Sequence, residues 1–181
     1  MDRRQKKSRQ AIIEAFTRLL EKENFSSITV QQIIDEADVG RTTFYAHFET
    51  KDILLKEMCT EIIEHIFSHE LHPEYSHDFS AGKHDLQERL THLLYHLKEN
   101  KGNITALFSG STSELFLRYF KELLQKVFEE YPEVLQPDVP HAFAISHATG
   151  SFTEAVRYWI HSGMAESPED IASYFIKCLN I

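Results

Sequence analysis

The chain has 181 residues, 42% hydrophobic and 26% charged, which is long enough to bury a core and unlike either a disordered or a fibrous chain. Its 6 Gly and 5 Pro are too few for an all-β sandwich or barrel, which needs a turn signal every ~10 residues. The net charge of -9 is unevenly divided: residues 1–51 carry nine basic and eight acidic side chains, and residues 52–181 ten basic and twenty acidic.

Cys59 and Cys178 are too distant to suggest a disulfide framework and fall on apolar helical faces, where buried, inert thiols are expected. No apolar run approaches about 18 residues, and the start, MDRRQKKSRQ, is charged, so neither a membrane span nor a secretory signal is expected. The expected location is cytoplasmic. Arg3, Arg4, Lys6, Lys7 and Arg9 form a basic arm, which either meets a polyanion or is a solvated terminus.

Ile12, Ile13, Phe16, Leu19 and Leu20 fall at the spacing of an amphipathic helix, predicted from about Lys6 to Glu23. Thr29 followed by Gln32 is a capping box, with Ile28 and Ile33 at the positions of a hydrophobic staple. A short second helix is predicted from Val30 to Ala37, burying Val30, Ile33, Ile34 and Ala37, and Asp38-Val39-Gly40 supplies the turn. A third helix begins at Arg41 and ends near Phe48. Two short helices around such a turn, behind a longer one, make a helix-turn-helix.

The third helix turns Phe44 and Phe48 inward and Arg41, Thr42, Tyr45 and Ala46 outward. Arg can grip guanine O6 and N7 in a bidentate fork, Ala46 can lie against a thymine methyl, and hydroxyls, His47 and Lys51 can bond phosphates. The alternative is that Tyr45 and His47 only pack or solvate a short surface helix.

The run Thr29-Val30-x-x-Ile33-x-x-x-Ala37-x-Val39-x-x-x-Thr43-x-Tyr45-x-His47-Phe48-x-x-Lys51 resembles the DNA-binding head of the TetR family of transcriptional regulators. The resemblance covers residues 8 to 55. It implies an all-α fold of about nine helices, three of them in the head, and a homodimer that reads two half-sites of a double-stranded DNA operator. Carried over by position, Thr29, Thr43, Tyr45, His47 and Lys51 are implied phosphate contacts, and Arg41, Thr42 and Ala46 implied base readers. Ala46 stands where many members have a larger residue, so the implied contact is either weaker or limited to a methyl group.

The body begins after Thr50, a plausible N-cap, with a long helix carrying Ile53, Leu54, Met58, Ile62, Ile63, Ile66 and Phe67. Residues 69–84 are polar and read as a loop or a partly ordered gap. Further helices are predicted at about 85–100, 104–108 and 113–130, the last carrying Phe116, Tyr119 and Phe120; Pro132, Pro137 and Pro140 mark a connection. A helix then runs to Gly163, and Ser167-Pro168-Glu169-Asp170 opens the final one, which continues through Leu179. The resemblance assigns these last two helices to a dimer interface, for which Ser146, Gly150 and Thr153 are small and Phe152, Val156, Trp159, Ile160, Phe175 and Leu179 large. A monomer that buries the same residues in its own core is the alternative.

The resemblance also implies a small-molecule effector of unspecified identity, with Phe67, Leu94, Phe108, Phe116, Tyr119, Phe120 and His147 as candidate walls. No cofactor and no metal are assigned. His65/His69 and His92/His96 each fall at i, i+4 but lack the HExxH arrangement, and the dyads His77-Asp78 and His84-Asp85 lack a helical partner. No catalytic fingerprint is present. The expectation is therefore a non-enzymatic, ligand-responsive repressor, with a DNA-binding domain at 1–51 and an effector-binding and dimerisation domain at 52–181. A same-fold activator or co-regulator working through a protein partner is the first alternative, and a metal-dependent helical enzyme using the paired histidines the second.

Overall fold

The computed structural model describes residues 2–66, 73–74, 77–80, 82, 85–109, 113–135 and 138–179. Among these the fold is all-α, with nine α-helices and one 3-10 turn. The helices are α1 (Arg3–Leu20), α2 (Val30–Ala37), α3 (Arg41–His47), α4 (Lys51–Ile66), α5 (Leu86–Glu99), α6 (Lys101–Ser109), α7 (Ser113–Glu129), α8 (His141–His161) and α9 (Pro168–Leu179), with the 3-10 turn at Pro132–Val134. No described helix is long and apolar enough to cross a membrane. The chain divides into two compact units, Met1–Thr60 with Lys101–Leu117, and Glu61–Asn100 with Arg118–Ile181.

In the first unit α1 begins three residues earlier than the periodicity predicts. The Gln5 side chain accepts a hydrogen bond from the Asp2 amide at 3.2 Å, and the Lys6 amide donates to the Asp2 carbonyl, so the basic arm is helical from Arg3. The buried stripe is Ile12, Ala15, Phe16, Leu19 and Leu20, and Phe25 meets Phe16 edge to face at 5.9 Å. Thr29 caps α2 as the sequence predicts: its hydroxyl accepts from the Gln32 amide at 3.2 Å, and the Gln32 side chain accepts from the Thr29 amide at 2.8 Å. Ile33 and Ile34 are buried, whereas Val30 and Ala37 are half-buried.

The α2–α3 turn depends on Asp38, which adopts the left-handed conformation (φ 51°, ψ 48°). The Val39 amide donates to the Ile34 carbonyl and the Asp38 amide to the Asp35 carbonyl, closing the helix end as a Schellman motif. Gly40, at the start of α3, is extended (φ -76°, ψ 151°). Thr50 caps α4 through its hydroxyl to the Ile53 amide at 3.1 Å. The start of α6 escapes the sequence pattern because Gly102 and Asn103, weak helix formers, occupy its first turn.

In the second unit α5 presents Leu86, Leu90, Leu93, Leu94 and Leu97 to the core, and α8 and α9 add Phe152, Trp159 and Phe175. Phe152 and Phe175 meet edge to face at 5.0 Å, and the Trp159 indole donates to the Glu166 carbonyl at 2.9 Å. Gly163 (φ 75°) ends α8, with the Met164 amide returning to the Trp159 carbonyl at 2.8 Å in a second Schellman motif. Ser167 then caps α9, accepting from the Asp170 amide at 3.1 Å, with Pro168 at the first helical position.

This packing revises the expected dimer anchors. Phe152, Thr153, Val156, Trp159, Ile160 and Phe175 are buried inside the chain's own core, because each lies on the inward stripe of its helix. Ser146, Gly150 and Leu179 do reach the surface. Cys178 is exposed rather than buried, whereas burial pushes the Cys59 thiol up to about 12, which leaves it protonated and unreactive at neutral pH.

Candidate nucleic-acid interface

Fully buried Phe44 and Phe48 fix α3 by its inward face, and the opposite face carries the chemistry. Arg41, Thr42, Tyr45 and Ala46 are exposed, while Thr43 and His47 are half-buried. Tyr45 is 51% exposed although its ring lies edge-on to Phe44 at 5.4 Å, so its phenol projects from a rigid base. The Arg41 guanidinium donates to the Gln31 side-chain oxygen of α2 at 3.1 Å, which holds its planar fork at the surface.

The groups at α3 extend onto α1. The His47 Nε2 and the Ser8 hydroxyl are 2.8 Å apart, and Arg4, Gln5 and Ser8 line with Thr42, Thr43, Ala46 and His47 a depression of about 420 Å³. Arg3, Arg4, Lys6 and Lys7 are exposed along the first turns of the same helix. Four cations, several hydroxyls and a convex helix face have the chemistry of a surface that holds phosphates while α3 meets base edges. Thr29 is exposed at the start of α2.

Two expected cations have other work. Arg9 donates to Glu57 at 2.8 Å and lies over the Phe48 ring at 5.2 Å, tying α1 to α4 and α3. Lys51, expected on a phosphate, instead donates from Nζ to the carbonyls of Phe25 at 2.8 Å, Ile28 at 2.7 Å and Ser26 at 3.3 Å, and stands 4.5 Å over the Phe25 ring. All three ammonium protons are directed at the α1–α2 loop, and burial lowers the pKa of the amine, with Asp52 opposing. Lys51 therefore closes the loop that presents Thr29. The sequence pattern missed Ser8, Gln5 and Gln31; Ser8 lies within the basic arm, between Lys7 and Arg9, on the half-buried side of α1.

The candidate effector residues fall in different places. Phe67 lies outside the described residues. In the first unit Phe108 and Phe116 are buried and meet edge to face at 5.2 Å; in the second, Leu94, Tyr119 and Phe120 are buried. His147 is not a wall of the buried interior: it is exposed on α8 and stacks on Phe143 at 6.4 Å with rings 3° from parallel.

A second polar group, legible in sequence only as spaced histidines, gathers in the second unit. His65 Nε2 lies 2.7 Å and His92 Nε2 3.0 Å from one Glu74 oxygen, Oε1, with His77 Nε2 at 3.5 Å and His96 Nε2 at 3.6 Å from the same atom. Burial lowers the His92 pKa to about 4, outweighing its hydrogen bond to Glu74. Burial pushes Glu74 up, but the hydrogen bonds from His65 and His92 and the nearby His96 and His77 outweigh it and hold the carboxyl at about 2. Glu74 and His77 lie in the predicted loop, and no periodicity links them to α5.

A three-helix head whose α3 offers Arg, Thr and Tyr to solvent beside a basic α1 defines a helix-turn-helix regulator. Residues 12–58 match the bacterial regulatory proteins of the tetR family, and residues 84–180 match a transcriptional regulator C-terminal region. A TetR transcriptional regulator of known structure from Streptococcus agalactiae 2603V is 32% identical, with a TM-score of 0.72 over 98% of this chain and 96% of that one. An HTH-type transcriptional regulator of Staphylococcus aureus USA300 is 24% identical over 133 residues, 74% of this chain and 70% of the relative. An uncharacterized HTH-type regulator of Bacillus subtilis 168, YxbF, is 38% identical over 71 residues, so that the match spans 36% of this chain but 19% of that relative's length. The chain belongs to the TetR family of transcriptional regulators, a class of non-enzymatic DNA-binding proteins.

Proposed function

We propose that the protein is a homodimeric repressor released from its operator by a small molecule, with residues 1–51 reading DNA and residues 52–181 dimerising and binding the effector. The observation that supports the reading is the outward face of α3, which exposes Arg41, Thr42, Tyr45 and Ala46 and shares a depression with Arg4 and Ser8 of α1; on this reading Arg41, Thr42 and Ala46 are assigned to base edges, and Thr43, Tyr45, His47, Arg4 and Ser8 to phosphates. Two such heads about a two-fold axis read half-sites one helical turn apart, roughly 34 Å along the duplex.

The outer face of α8 and α9 supports the dimer. Phe143, Tyr158 and Tyr174 are 64%, 60% and 51% exposed, and an open groove of about 410 Å³ is lined by Tyr158 and Tyr174 with Ser151, Ala155, Ile171, Phe175 and Cys178. A Cβ on Gly150 would meet nothing within 4 Å, which leaves room for a second helix to approach closely. Large aromatics flanking small residues are the composition of a self-complementary helical interface.

Repression and release follow from linkage: an effector that favours the conformation in which the heads miss successive grooves weakens DNA binding by its own coupling energy, ~1 to 3 kcal/mol. The test is sedimentation of the untagged protein beside Tyr158→Arg/Tyr174→Arg, together with a promoter–reporter assay. A wild-type dimer that silences the promoter, and a folded monomeric variant that does not, is the expected result; a wild-type monomer at working concentration, or a promoter that gains activity from the protein, contradicts the reading.

A further inference from the structure

The histidines around Glu74 are spaced as ligands. The Nε2 atoms of His92 and His96 stand 3.0 Å apart, and Glu74 Oε1 has imidazole nitrogens at 3.5 and 3.6 Å, beyond its two hydrogen bonds from His65 and His92. One carboxylate oxygen thus stands among four imidazole nitrogens, and only those of His65 and His92 are within hydrogen-bond distance. A tetrahedral ion with bonds of ~2.0 to 2.2 Å holds its ligand atoms about 3.3 to 3.6 Å apart. The candidate ligand atoms of His65, Glu74, His92 and His96 all lie within 4.8 Å of one another, so rotamer-scale adjustments bring them to one centre.

The surroundings are built in the same sense. His92 and His96 are one turn apart on α5, and His65 lies in the last turn of α4. Arg89 of α5, itself 4% exposed, donates to the carbonyl of Ile66, the last residue of α4, so the two helices are tied beside the cluster. The far nitrogen of His96, Nδ1, faces the Glu99 carboxylate at 3.6 Å, the carboxylate–histidine arrangement that orients metal ligands and raises their basicity. Phe79 stacks on His92 at 4.8 Å and Tyr95 on His77 at 4.8 Å, walling the group with aromatic rings.

We propose that His65, Glu74, His92 and His96 bind one divalent first-row transition ion in a four-coordinate site, with Glu99 orienting His96. Three imidazoles and one carboxylate select a borderline ion, Zn²⁺ before the others by geometry, over Mg²⁺ or Ca²⁺, which take oxygen, and over Cu⁺, which takes sulfur. The site departs from the sequence expectation of no metal, and it does not depend on the reading of the protein as a repressor.

The test is Zn²⁺ titration of the untagged, chelator-treated full-length protein against a chromophoric competitor, with Co²⁺ absorption as a report on geometry. One equivalent per chain is expected, with an intense tetrahedral Co²⁺ spectrum. Affinity should fall at least about a hundredfold in His65→Gln and His96→Gln and about tenfold in Glu99→Gln, each with the helical circular dichroism of the wild type. His65 is half exposed at the end of its helix, so its substitution keeps the test clear of misfolding. Less than stoichiometric Zn²⁺, a weak octahedral Co²⁺ spectrum, or equal affinity in wild type and His65→Gln overturns the proposal. DNA binding is not read in any arm, so failure here leaves the regulator assignment standing.

Discussion

The helix-turn-helix head and the histidine cluster make their chemistry from the chain in opposite ways. The groups around α3 occupy one short stretch, from Thr29 to His47, completed by residues from the start of α1, and local helix geometry alone sorts them into an inward and an outward face. The cluster draws on the end of α4, on Glu74 and His77 from the intervening segment, and on the second and third turns of α5. A site built on one helix is written in its periodicity, whereas a site gathered across a connection exists only after the helices pack.

The comparison is broken most forcefully through the aromatic that seats α3. Phe44→Ala removes a fully buried ring, and we expect a loss of about 3 to 5 kcal/mol in denaturant unfolding of the first unit, with DNA binding abolished. Unchanged stability would mean that α3 is held by something other than its inward face. Next is Lys51→Met, which strips charged donors from the carbonyls of Phe25 and Ile28; about 2 kcal/mol of stability should go. The slope of log affinity against log salt should stay as in the wild type, and a slope shallower by about one would return Lys51 to the phosphates.

Arg41→Ala sharpens the distinction between reading and holding. It should cost about 1 to 3 kcal/mol on the preferred sequence and relax preference at one base position, whereas Arg4→Ala should weaken all sequences alike and reduce the salt slope by about one. Competition binding across a set of single-base operator variants separates the two. Smallest is Asp38→Gly, which relieves a left-handed conformation and should stabilise the head by about 0.5 to 1 kcal/mol; a loss in thermal unfolding would show that the Asp side chain contributes more than its backbone costs.

What the sequence revealed follows the same division. The caps at Thr29, Thr50 and Ser167, and the limits of α2, were legible because each rests on contacts within a few residues. The inward fate of Lys51 was not, since its acceptors lie more than twenty positions away in the chain, in a loop with no periodic signal. Trp159, Phe152 and Phe175 looked like interface anchors because large residues on α8 and α9 serve a core and a dimer equally well; only packing assigns them inside and leaves Phe143, Tyr158 and Tyr174 outside. The His92/His96 spacing was visible, but Glu74, whose Oε1 the histidine nitrogens surround, carries no mark in the sequence.

The central claim, that α3 reads DNA, is met most directly by fluorescence anisotropy of the untagged protein on labelled duplex from its own upstream region, at two salt concentrations, beside Arg41→Ala/Tyr45→Ala. Both side chains are exposed, so the variant keeps its fold. Tight, salt-sensitive binding by the wild type that is lost in the variant is the predicted result. Equal binding by the two folded proteins contradicts it.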